Sequence, residues 1–184
     1  MTLLVIGIVL FFSIHLVPTT QLRATIALKT GEDGFKGLFS LVALAGFGLI
    51  VYGFYLSDFV PLFDPLPWGR TASYWIMPIA AILLFASNAP NNIKRFIRHP
   101  MLIGITLWSG THLAANGDLA STLLFLSFGA FSIMDILLVE AGGRFKPIEP
   151  VSLIWDIGVV VGGILLFAIL FYFHGGYTGV PLIQ

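Results

Sequence analysis

Apolar residues occur along this chain in long blocks separated by short polar stretches, without the half-polar stripes of helices in a water-soluble domain. Residues 1–22 contain no Lys, Arg, Asp or Glu. This predicts a first apolar helix over about Leu3 to Val17, kinked or ended by Pro18. A cleaved signal peptide would place basic residues before its apolar core, whereas Arg23 follows it, so the segment reads as a retained helix. A polar stretch from Thr19 to Lys36 precedes the second apolar block, Gly37 to Leu56. Ser57 to Thr71, with prolines at 61, 65 and 67 and with Trp68, reads as an irregular interfacial loop. A third block runs from about Ser73 to Ser87, with Pro78 predicted to kink it. The fourth, Met101 to Ala115, closes on Asn116-Gly117-Asp118, a tight-turn signal. Leu119 to Val139, interrupted only by Asp135, is long enough for a ~30 Å hydrocarbon core. The last block, about Trp155 to Phe173, carries Gly158 and Gly162 in a small-xxx-small arrangement that permits close helix contact.

Composition agrees with the pattern. The 184 residues are 58% hydrophobic and 10% charged, and the mean hydropathy is +0.98. Soluble domains carry about 25% charged residues. The predicted fold class is therefore an all-α integral membrane protein, one domain over 1–184, with a bundle of about six transmembrane helices in the lipid bilayer. Basic residues alternate with the spans: Arg23, Lys29 and Lys36 after the first, Lys94, Arg95 and Arg98 after the third, Arg144 and Lys146 after the fifth. Only Arg70 falls on the opposite side. The positive-inside rule then places both termini outside the cytoplasm. Nine basic residues balance nine acidic ones, which argues against nucleic acid as a partner. The absence of cysteine excludes disulfides, iron–sulfur clusters and c-type haem attachment.

Candidate chemistry concentrates between Arg98 and Asp118. His112 lies fourteen positions beyond Arg98, roughly 20 Å deeper along a helix, and a polar ring inside an apolar helix points to function. His15 sits on the first segment, His99 at the mouth of the fourth, and His174 at the end of the sixth. Imidazoles from two helices could clamp a haem iron. Each ring could equally hydrogen-bond a neighbouring carbonyl or hydroxyl. His99 beside Arg98 suits a lipid headgroup or phosphate. Asp135, Glu140 and Asp156 should lie near Arg95, Arg98 and Arg144, where ion pairs would lock helix ends; a proton relay or polar cofactor cradle is the functional alternative. The four tryptophans mostly suit membrane interfaces and need no cofactor. There is no phosphate-cradling Gly-rich loop, zinc motif or nucleophile elbow.

Phe11-Phe12-x-x-His15, Arg98-His99-Pro100 with Gly104, Trp108 followed by His112, Asn116-Gly117-Asp118 and the closing Gly179-Val180-Pro181-Leu182 together resemble the NnrU family of bacterial membrane proteins. The likeness covers essentially the whole chain. It implies an inner-membrane protein linked to denitrification and nitric-oxide metabolism. The family is also similar to zeta-carotene isomerase, an integral-membrane enzyme that uses haem b. That similarity implies His15 and His112 as axial ligands; Arg98, His99 and Asn116 are the further candidate cofactor-binding residues. It also implies an apolar or small-molecule substrate for any isomerase or redox activity. Ser109 stands where the isomerase has a cysteine, and a serine hydroxyl is no substitute for a soft thiolate ligand. By depth, His15 (roughly 12 Å from its face) pairs more evenly with His99, and His112 with His174. Arg-His-Pro followed by Gly104 is more distantly similar to isoprenylcysteine methyltransferase-like enzymes. A non-catalytic membrane scaffold is the reading from another class.

Overall fold

The computed structural model describes residues 1–141, 149–180 and 182. Arg144, Lys146 and Pro181 lie outside the described residues. Each apolar block forms a helix, in the order α1 (Thr2–Leu16), α2 (Gln21–Tyr55), α3 (Gly69–Asn88), α4 (Ile93–Phe96), α5 (Pro100–Ala115), α6 (Leu119–Ala141), α7 (Leu153–Tyr172) and α8 (His174–Thr178). Among the described residues the one β-type pairing is an isolated bridge, Pro61 to Asp118. By length and composition, α1, α2, α3, α6 and α7 can cross a membrane. That makes five such helices among the described residues, one fewer than the six predicted spans. The remaining block, the fourth, is α5, which has 16 residues between Pro100 and the extended Asn116 and rises about 24 Å.

α1 stops where Pro18 predicts, in a 3-10 turn over Val17–Thr19. The polar stretch that follows departs from its expected role as a loop. It is helical from Gln21, capped by the Thr20 hydroxyl accepting from the Leu22 amide at 3.3 Å. Ala, Leu, Arg and Lys are good helix formers wherever they face, so polarity alone does not break this segment. The break comes at Gly31, whose φ of 76° and ψ of 166° only glycine adopts readily. Across it, Arg23 bonds Glu32 at 2.9 Å and covers the Phe35 ring.

The chain's internal contacts form two units. The first is Met1–Leu62 with Asp118–Leu124; the second is Phe63–Gly117 with the described residues from Phe125 onward. In the first, α1 and α2 pack antiparallel through glycine faces: a Cβ on Gly46 would meet the Phe11 backbone at 2.9 Å. Small residues allow this approach where dispersion, not hydrophobicity, joins apolar helices. In the second unit α3 lies against both α5 and α7. Gly104 faces the Ala80 carbonyl, and Gly163 backs onto Ile82. Gly158 has no neighbour in range, so the close-contact face of α7 is Gly162–Gly163, with Gly162 under the Phe85 ring. Leu28, Tyr55 and Trp75 are among many exposed apolar side chains, as expected where hydrocarbon is the solvent.

Candidate functional site

His112 lies in the last turn of α5, half-buried within the second unit. Its Nδ1–H donates to the Trp108 carbonyl at 2.8 Å. A carbonyl can only accept, so the proton is on Nδ1 and the lone pair of the neutral ring is on Nε2. The imidazole stacks on Phe125 at 4.6 Å and lies 5.4 Å from the Trp108 indole, which packs edge-on against Phe125 and Phe128. Trp108 is thus a packing residue of the α5–α6 contact and not an interfacial one. Spacing explains it: positions 108 and 112 share a helix face, and α6 supplies the facing rings. Thr106 and Ser132 bond across the same contact at 2.8 Å.

Asn116 secures this turn from below. Its backbone N–H and its Nδ2 both donate to the His112 carbonyl, each at 2.9 Å. The candidate cofactor-binding residue thus acts here on the histidine's own peptide. The following Gly117 has no room for a Cβ beside the Phe63 carbonyl, and its own carbonyl accepts from the Phe63 amide. In the first unit Asp118 caps α6, accepting from the Ser121 amide at 2.9 Å. Ser109, one turn before His112, is 1% exposed, and its hydroxyl has no hydrogen-bond partner among the described residues.

His15 lies in the last turn of α1, within the first unit. Its Nδ1–H donates to the Phe11 carbonyl at 2.6 Å, and its ring contacts Phe11 and Phe39. The local arrangement repeats that of His112: one helix turn fixes the tautomer, and aromatic rings surround the imidazole. His174, at the start of α8, bonds the Val180 carbonyl and the Thr178 hydroxyl through Nδ1. It belongs, like His112, to the second unit.

At the other end of α5, His99 occupies the N-cap position and Pro100 opens the helix. Glu140 bridges this mouth, with Oε2 to Arg98 at 3.0 Å and Oε1 to His99 at 2.9 Å. The ion pair expected for Arg98 therefore forms, and it takes His99 with it. Asp156 and Asp135 differ from expectation. Asp156, in the first turn of α7, accepts from the Asn92 amide at 2.7 Å and from Asn92 Nδ2 at 2.6 Å. Amide donors suffice there because the helix N-terminus already favours the carboxylate. Asp135 enters no ion pair among the described residues.

The sequence reading missed the two asparagines. Asn91 is 1% exposed; it donates to the Ala86 and Ala89 carbonyls and accepts from the Lys94 amide. Asn92 holds Asp156 and both backbone polar groups of Val151. The paired Asn-Asn in an otherwise basic loop was the available signal. No group of three or more His, Asp or Glu placed to hold a metal ion occurs among the described residues. A family model described as NnrU protein matches residues 3–182. No curated protein and no solved structure matches the chain.

Proposed function

The chain belongs to the NnrU family, and from that premise we propose a multi-pass haem b protein of the bacterial inner membrane, crossing it six times with both termini outside the cytoplasm. His112 would hold the haem iron on one side, and the family resemblance supplies His15 as the second residue that would hold it. The supporting observation is the shared local geometry: both rings donate Nδ1–H to a carbonyl one turn back. Such a bond orients a metal-binding histidine and raises the basicity of Nε2.

The donor set fits the group. Two neutral imidazoles suit haem iron, and a porphyrin brings the remaining ligands itself. Bound there, haem b supplies one-electron redox chemistry. Trp108 and Phe125 shield the His112 ring from water, and Asn116 holds the turn that carries it. Arg98 and His99, neutralised by Glu140, hold the far end of α5 in place. The physiological role follows the family link, in nitric-oxide and denitrification metabolism or in isomerase-type redox chemistry. A second reading pairs His112 with His174, because both belong to one unit and lie closer in level along the chain's helices.

The test is the absorption spectrum of the detergent-purified protein, oxidised and then reduced with dithionite. We expect a Soret band with sharp reduced α and β bands, lost in His112→Ala and in His15→Ala. Loss in His112→Ala and His174→Ala, with His15→Ala unchanged, selects the second reading. A protein that stays colourless after haem is supplied, or full occupancy in His112→Ala, overturns the assignment.

A further inference from the structure

The second unit contains an open cleft of about 320 Å³ that is separate from the surroundings of His112. Its lining includes Lys94 and Asp135, with Met101, Leu102 and Val139 on its apolar side. Both charged side chains are half-buried. Neither forms an ion pair, with the other or with any other described residue. The other cationic groups on the lining, Arg98 and His99, are both joined to Glu140. Partial burial of an unpaired charge is unfavourable, and here two charges of opposite sign face one cleft without neutralising each other.

The wall that carries Lys94 is rigidly built. Its backbone amide is held by the buried Asn91, and the adjacent Asn92 is held by Asp156 and by the backbone N–H and C=O of Val151. Asp135 lies on α6 six positions before its last residue, Ala141, roughly 9 Å below the helix end. A 23-residue helix rises about 34 Å, so centred on a ~30 Å core it sets Asp135 several ångströms inside the apolar edge, where an unpaired carboxylate is costly. A preformed cleft with one cationic wall, one anionic wall and an apolar floor suits a ligand that carries both charges beside an apolar body.

We propose that this cleft binds an aminoalkyl phosphate, its ammonium on Asp135 and its phosphate on Lys94. Phosphatidylethanolamine is the membrane-borne source, its glycerol end lying along Met101 and Val139; free phosphoethanolamine is the soluble source. A primary ammonium donates hydrogen bonds to the carboxylate, which a choline headgroup cannot do.

The experiment is thermal unfolding of the full chain in nanodiscs of phosphatidylcholine alone, with added phosphatidylethanolamine, with added phosphatidylglycerol, or with phosphoethanolamine in solution. Phosphatidylethanolamine is expected to raise the midpoint where phosphatidylglycerol does not. Asp135→Asn and Lys94→Gln should each abolish that difference while the neighbouring Arg95→Gln retains it. Affinity for the headgroup should fall about tenfold in either variant, the factor for one hydrogen bond to a charged group. A shift with soluble phosphoethanolamine as well assigns the free source. An equal shift with phosphatidylglycerol, or one that persists in both variants, overturns the proposal. Size-exclusion profiles matching the parent establish that the variants fold, and copurified phosphatidylethanolamine, depleted in both, gives an independent readout.

Discussion

Ser109 and His112 stand one turn apart on α5, and their surroundings treat their polar atoms in opposite ways. The His112 ring has a carbonyl for its proton and aromatic faces on its flanks. The Ser109 hydroxyl, close to Gly129 of α6, has no partner among the described residues. An unmade hydrogen bond in an apolar contact costs about 1–3 kcal/mol. Ser109→Ala should therefore leave stability unchanged or raise it by about 1 kcal/mol, read from reversible unfolding in detergent. A loss of that size would show the hydroxyl to be satisfied in the working protein. The histidines were legible in the sequence because few other polar side chains interrupt the apolar blocks. Their tautomers were not, because a ring's hydrogen-bond partner depends on its rotamer. The Asn92–Asp156 bond was less legible still: its ends are 64 positions apart, and asparagines in a loop carry no periodicity.

At the scale of elements, α2 contains two glycines whose roles are opposite. Gly31 holds a left-handed extended conformation that turns the chain so that Arg23 reaches Glu32 and Phe35. Gly37 is helical, and a Cβ there would meet nothing within 4 Å. Strain at a glycine-only conformation costs about 1–3 kcal/mol, while glycine in a helix interior costs roughly 0.5–1 kcal/mol relative to alanine. Gly31→Ala should thus destabilise the protein and Gly37→Ala should stabilise it, by those magnitudes, in the same unfolding assay. Equal effects of one sign would mean the chain does not turn at Gly31. The break could not be placed from sequence, because Gly31, Gly34 and Gly37 are equivalent by residue type. Block boundaries were legible to within a few residues, since apolar length and proline position set them directly.

For the whole molecule the open quantity is the number of crossings, and α5 decides it. Its rise of about 24 Å falls short of a ~30 Å core. Yet α5 runs antiparallel along α3, itself long and apolar enough to cross, from the Gly104–Ala80 contact to the Gly69–Ala114 contact. Bilayer thinning absorbs a mismatch of a few ångströms at a fraction of a kcal/mol per ångström. Charge gives an independent argument. If α5 did not cross, the segment after α6, with Arg144 and Lys146, would move to the outer side and violate the positive-inside rule. The cysteine-free chain makes this directly measurable with single introduced cysteines and a membrane-impermeant maleimide on intact spheroplasts. Thr2→Cys and Asp64→Cys should label and Arg95→Cys should not, whichever way α5 lies. Six crossings require Thr178→Cys to label and Glu149→Cys to remain protected until the membrane is permeabilised. Five crossings reverse both, which would place α5 as a re-entrant helix and remove the argument that both termini share the outer side.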